Sequence, residues 1–423
     1  MLILRWLYAF LMIATSVIAP VSAAPTDVLW RLSLPDAERL WQEHNREVKL
    51  ARVAVRGAEA DRVIAEQAPN PQLSLNVASI SPNEGFGAGG LREKMMDSIL
   101  RLEQLIERGD KRELRAQSAS AKLEATQRDV DDARRQQRLA LLNAYYDLML
   151  AQEKRQSCAD TLALYTRSLE ASDARLKAGD ISLSDHSRLR VEKLRAENDA
   201  RQAVADGERA QLALAYLTGQ EARASALFAA DAWPALDTEQ GVTGEARIAS
   251  RPDVRAAQAR LVAAEAARDL ARSLKKRDVT VGVQLEHNLQ NAPRNSFGFG
   301  FSVPLFVRYE YEGEIARAEA DLQLAREQME RLVAQALGDA DQARSQLAAS
   351  AERRQRLENE LLADADSIAK AAEFAYSKGA MGLIDLLDAR RTWRQVQLEA
   401  AQARADYAKA QAAWRMLTHG ENL

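Results

Sequence analysis

Gly179, Leu183, Asp185, Arg190, Leu217 and Thr218 recur as Gly379, Leu383, Asp385, Arg390, Leu417 and Thr418, each 200 positions later. Leu105, Arg108, Ala116 and Ala125 match Leu305, Arg308, Ala316 and Ala325 at the same offset. Upstream, Val48, Glu59, Arg62 and Ala65 match Val254, Glu265, Arg268 and Ala271 after a short insertion. A self-match held over such a distance means two copies of one structural unit, so any fold for this chain must be built twice. The first copy is expected over 24–220 and the second over 249–423, with 221–248 as a linker.

Each copy reads in the same order: a long helix, two strands, a very long helix, a tight turn and another long helix. In the second copy Leu322, Ala325, Met329, Leu332, Ala336, Ala340, Ala343 and Leu347 alternate three- and four-residue spacings. That is the seam of a coiled coil, and its alanines permit close packing. Carried from Glu312 to Phe374, such a seam would run roughly 90 to 100 Å at about 1.5 Å per residue. The spacing predicts helical hairpins over 111–218 and 312–418. Roughly a fifth of the chain is Ala and only 10 residues are Pro, which suits long helices and a mainly α fold with a small β component.

Four strands are expected near 72–79, 98–106, 279–287 and 296–305. Val279, Val281, Val283 and Leu285 alternate with Thr280, Gly282, Gln284 and Glu286, and Phe297, Phe299 and Phe301 alternate with Ser296, Gly298 and Gly300. The first pair is weaker: Leu73, Leu75 and Val77 alternate with polar residues, but Ile99 breaks the pattern before Leu100 and Leu102. Alternation alone fits either a membrane barrel wall or a soluble sheet covered by helices. The Gly-rich loop Ser81–Gly90 and the tyrosines Tyr309 and Tyr311 past the last strand favour the barrel. Four strands cannot close a barrel, and an open edge in lipid leaves backbone groups unsatisfied, so a membrane-spanning chain of this kind must oligomerise.

Arg5, the apolar run from Trp6 to Ala19 and the small-residue pattern Val21-Ser22-Ala23 predict a signal peptide over 1–23, cleaved after Ala23. A buried N-terminal helix is the competing reading. No later stretch is long and apolar enough for a membrane helix. Lone Cys158 cannot form an internal disulfide and lies far from the cleavage site, so no lipid anchor is expected there. With 58 basic and 61 acidic residues interspersed, the chain offers no nucleic-acid surface.

The duplicated order, the turn segments Gly179 to Asp185 and Tyr376, Gly379, Leu383, Asp385 and Leu387, and the strand exit Glu103 to Arg115 resemble the TolC family of outer-membrane efflux proteins. The strand exit, with Gln104, Ile106, Glu107, Arg108, Gly109, Lys111 and Arg112, resembles the heavy-metal-efflux, CzcC-like branch. The resemblance implies a homotrimer: a twelve-stranded transmembrane β-barrel in outer-membrane lipid, continued by a trimeric α-barrel through the periplasm. It implies a periplasmic adaptor protein and an inner-membrane pump of the RND type as partners, with divalent heavy-metal ions as the favoured cargo. It places the periplasmic tip, gate and adaptor docking at Gly179, Leu183, Asp185, Gly379, Leu383 and Asp385. Gly382 replaces a small hydroxyl residue common in the family's second turn, and His186 follows Asp185 in the first.

Read for themselves, Gly179 and Gly379 provide positive φ where one helix ends and another begins. Asp185 and Asp385 either cap the returning helices or, under threefold symmetry, form acidic rings. His44, His186, His287 and His419 show no ligand spacing, and Met95 and Met96 beside the Gly-rich loop suggest soft-metal binding less than chance. No nucleophile, acid–base pair, phosphate loop or zinc motif stands in a convincing context, so no enzyme activity, cofactor or bound metal is expected. Drug or protein export through the same fold and a poreless periplasmic coiled-coil scaffold remain as alternatives.

Overall fold

A computed structural model describes residues 29–80, 89–90, 96–236, 248–288 and 294–418. The expected signal peptide, most of the Gly-rich loop, Met95 and His419 lie outside the described residues. The first half contains β1 (Trp30–Leu32), α1 (Leu34–His44), α2 (Arg46–Glu66), β2 (Gln72–Ala78), β3 (Asp97–Ile106), α3 (Lys111–Ala178) and α4 (Leu183–Thr218). A 3-10 turn at Glu221–Ala226 leads to β4 (Leu227–Ala229). The second half contains α5 (Pro252–Ser273), β5 (Val279–His287), β6 (Asn295–Ser302), α6 (Glu312–Arg356), a π-helical segment Leu357–Leu361, α7 (Leu362–Ser377) and α8 (Leu383–Thr418). None of these helices is long and apolar enough to cross a membrane.

Two expectations need correction. The strand expected to reach 305 stops at Ser302, because Pro304 has no N–H for a ladder. The seam expected to run unbroken from Glu312 to Phe374 is interrupted at Leu357–Leu361, where the helix widens by one π turn. Its counterpart α3 is unbroken over 68 residues, on the order of 100 Å.

The sheet runs β2-β3-β5-β6, antiparallel throughout. Its register aligns Leu75, Leu100, Leu285 and Phe297 in one row and Leu73, Leu102, Val283 and Phe299 in the next. Because side chains alternate faces, these rows make one apolar surface. The opposite face carries Ser74, Arg101, Gln284 and Gly298 in one row, with Arg101 Nη2 donating to Gln284 Oε1 at 2.9 Å. Ile99 falls in the polar-side row with Asn76, Glu286 and Ser296, which explains the break in its alternation.

The halves clasp each other at the base of the sheet. Buried Lys111, at the start of α3, donates to Asp278 Oδ1 at 2.7 Å and to Lys276 O at 2.8 Å, both just before β5. The Arg108 backbone N–H reaches the same carboxylate oxygen at 2.9 Å. A buried ammonium needs such a counter-charge, since desolvation otherwise opposes its burial by several kcal/mol.

The main core lies at mid-body, where β1 and β4 pair in parallel and Leu32, Trp41, Leu141, Tyr145, Leu148, Leu214 and Leu227 pack together. The Tyr145 hydroxyl lies 2.9 Å from both Leu32 O and the Asp231 carboxylate. Burial first, and then Asp231, raises its pKa.

Candidate functional site

Two features stand out: the exposed sheet at one end and the paired helical turns at the other. On the sheet, Leu73, Leu75, Val283, Leu285, Phe297 and Phe301 are all exposed, and Phe299 is 85% exposed. Single exposed apolar residues are ordinary, but two complete cross-strand rows form a contiguous apolar wall. Among the described residues, neither β2 nor β6 has a strand on its outer edge.

At the other end, α3 and α7 stop in the same way. Gly179 has φ 82° and its N–H bonds to Leu176 O, while the Asp180 N–H bonds to Arg175 O. Gly379 has φ 73° and bonds to Tyr376 O, while the Ala380 N–H bonds to Ala375 O. This left-handed ending satisfies carbonyls that the helix leaves open. A Cβ at either glycine would meet nothing within 4 Å, so conformation rather than space requires glycine here.

The returning helices differ. Ser182 is the N-cap of α4: its Oγ accepts from the Asp185 N–H at 3.0 Å and donates to Asp185 Oδ2 at 2.8 Å. Asp185 therefore supports the cap rather than being it, and it also lies 3.5 Å from Arg188. Gly382 occupies the equivalent place before α8 and offers no hydroxyl, and Asp385 makes no side-chain ion pair with the described residues. His186 Nε2 lies 2.6 Å from Asp173 Oδ1. The matched leucines also differ: Leu183 is 69% exposed, whereas Leu383 is 9% exposed and packs with Tyr165, Leu189 and Leu386.

Above the turns the two hairpins are tied by charge. Arg391 of α8 donates to buried Glu192 of α4 at 2.6 Å, and Arg394 to Asp199 at 2.5 Å. Arg390 joins Glu373 of α7 at 3.0 Å and Ser168 Oγ of α3 at 3.1 Å. The hydrogen bond to Glu192 holds the Arg391 guanidinium above its ordinary pKa. Between the turns lies a groove of about 470 Å³ lined by Arg188, Val191, Arg195, Ile384 and Arg391.

These ties escaped the sequence reading, which named Arg390 only as the repeat match of Arg190. The arginine run Arg390, Arg391 and Arg394 was the available signal, but its carboxylate partners lie on other helices. A second network sits at the π segment. Glu358 accepts from Arg354 at 3.1 Å and from Arg404 at 2.6 Å, and Arg404 also pairs with Glu153 of α3. Trp233 Nε1 donates to Glu153 at 2.9 Å, and Arg354 to Pro234 O at 2.6 Å, which ties the mid-body connection to the interrupted helix.

A duplicated subunit that sets an exposed apolar sheet on helices on the order of 100 Å long is the architecture of a membrane duct. The outer membrane efflux protein family matches residues 39–220 and 245–418, and this chain belongs to it. The cobalt-zinc-cadmium resistance protein CzcC of Cupriavidus metallidurans is 25% identical over 383 residues, covering 89% of this chain and 88% of that protein. The outer membrane protein VceC of Vibrio cholerae superposes with a TM-score of 0.75 at 19% identity, covering 91% of this chain and 96% of its own. The outer membrane channel CmeC of Campylobacter jejuni gives 0.76 at 17% identity, covering 91% of this chain and 85% of its own. The chain is thus an outer-membrane efflux channel protein with the TolC-type fold. Its family and fold are those of channels rather than enzymes.

Proposed function

We propose that the chain is exported by its first 23 residues and assembles as a homotrimer. Its three four-stranded sheets then close a twelve-stranded barrel in outer-membrane lipid, and its helices extend through the periplasm as a common tube. The observation that carries this reading is the sheet, with an apolar wall on one face, a polar row on the other and two open edges. Closure with neighbouring copies satisfies both edges and turns the polar face toward a water-filled lumen. The helical turns then form the periplasmic tip, with Gly179 and Gly379 setting the turns. Exposed Leu183 and the groove beside it contact a periplasmic adaptor, and Asp185 and Asp385 form acidic rings near the axis.

In this reading the chain is the passive exit duct of a tripartite efflux system whose energy comes from an inner-membrane pump of the RND type. Divalent heavy-metal ions are the favoured cargo, supported by the likeness to CzcC, whose name records cobalt, zinc and cadmium resistance. The test has two parts. Native mass spectrometry of the detergent-solubilised protein should give the mass of a trimer. A strain lacking the chain should lose tolerance to zinc, cobalt or cadmium and regain it on complementation. Unchanged metal tolerance would remove the cargo, and a monomer would remove the barrel.

A further inference from the structure

The arginines of α3 build a recess at mid-body that is separate from the sheet, the tips and the inter-hairpin ties. Arg134, Arg135 and Arg138 line a cavity of about 340 Å³ together with Arg52 of α2, Trp41 of α1 and Met416 of α8. No carboxylate is among the described residues that line it.

Three of these arginines are partly matched from outside the cavity. Arg134 lies 3.3 Å from Asp131, Arg135 lies 2.7 Å from Asp132 and 3.9 Å from Asp253, and Arg138 lies 2.9 Å from Glu38. Arg52 makes no ion pair with the described residues. Each guanidinium carries five N–H donors in a planar fork, so one or two carboxylates leave donors over. The site thus combines spare planar donors on three paired arginines with Arg52, whose charge has no carboxylate partner among the described residues.

A single halide would not fill this volume, which falls near the lower end of small-ligand pockets, at about 300 Å³. Planar forks match carboxylate and phosphate oxygens in pairs. We propose that the recess binds a small, multiply charged oxyanion, a phosphate- or carboxylate-bearing solute, through Arg52 and Arg134. The site stands roughly 35 Å along α3 from the base of the sheet at about 1.5 Å per residue, beyond the headgroups of a bilayer placed around that sheet. The source is therefore a dissolved anion rather than a lipid.

Isothermal titration calorimetry on the purified full-length protein tests this, with sodium pyrophosphate and citrate as separate titrants at fixed ionic strength. The expected result is saturable binding of at least one of them at one site per chain. Binding should weaken at least tenfold in Arg52→Gln and severalfold in Arg134→Gln, and should stay unchanged in the tip variant Arg188→Gln. Arg52 is exposed, and circular dichroism with the oligomeric mass checks that its variant is folded. No saturable binding to the wild type, or equal binding by Arg52→Gln, overturns the proposal. Displacement of the bound anion by a soluble short-chain phosphatidylglycerol overturns the dissolved-solute assignment. If the wild type binds neither anion and Arg52→Gln dissociates the oligomer, a carboxylate of a second copy occupies the recess and the proposal fails.

Discussion

The two helical hairpins descend from one repeated unit, yet they differ at three places that the repeat makes equivalent. The first has an unbroken α3, a hydroxyl-capped turn and an exposed leucine. The second has a π interruption, a glycine at the capping place and a buried leucine. Duplication therefore specifies the path of the chain, while a few side chains decide which hairpin is the more firmly held. The first turn is fastened locally, by Ser182 and Asp185. The second depends on tertiary contacts, through Leu383 and Arg390.

The largest expected effect concerns the place where the halves hold each other. Asp278→Ala leaves buried Lys111 with only a backbone carbonyl acceptor and should destabilise the protein by about 3 kcal/mol, read from the melting of the solubilised protein. An unchanged melting temperature would mean that the halves are joined chiefly elsewhere.

Arg404→Leu comes next. It leaves Glu153 and Glu358 without their shared cation, and because these groups are partly exposed the expected loss is about 1 to 2 kcal/mol. Hydrogen exchange should quicken at Leu357–Leu361 more than at 157–161 of α3. Equal quickening in both hairpins would break the contrast between them.

Gly179→Ala and Gly379→Ala should cost about 1 kcal/mol each, since both turns need positive φ and neither is crowded. Here the hairpins should behave alike, and a large disparity would show that one turn is not formed as described. Ser182→Ala should likewise lower stability by about 1 kcal/mol, whereas Gly382→Ser should raise it by only a few tenths. That pair asks directly whether the capping difference matters.

The smallest effect is a pH dependence at the start of α5. In the first half α2 is capped by neutral Asn45, whose Oδ1 accepts from Val48 N–H at 3.0 Å. At the start of α5 the charged Asp253 accepts from Val254 N–H and pairs with Arg251 at 2.6 Å. Burial opposes the charge on Asp253, but the Arg251 hydrogen bond and charge, with Arg135, hold its pKa below the usual carboxylate range. A depressed folded pKa stabilises above the unfolded carboxylate value, and that stability is lost as pH falls through the folded value. Asp253→Asn should remove part of the acid sensitivity of melting, while Asn45→Ser should leave it unchanged.

Much of the architecture was legible because it rests on periodicity. The period-two rows of β5 and β6 and the period-3.5 seam of α6 are properties of the chain itself. Ile99 misled only until the register placed it on the polar side. The π turn at Leu357–Leu361 left no mark in the seam, because it is a local widening whose partners Arg404 and Glu153 lie far away in sequence. For the same reason the turn residues could be named, whereas the opposite burial of Leu183 and Leu383 could not. The repeat equates those two positions, and only the packing of Tyr165 and Leu189 distinguishes them.

Single-channel recording of the purified mature protein in a planar bilayer, with oligomeric mass determined in the same detergent preparation, tests the central claim most directly. The account predicts a trimer that inserts and gives discrete conductance steps. A soluble monomer that never inserts would contradict it, leaving the exposed sheet to be covered by some other surface and the helices as a poreless scaffold.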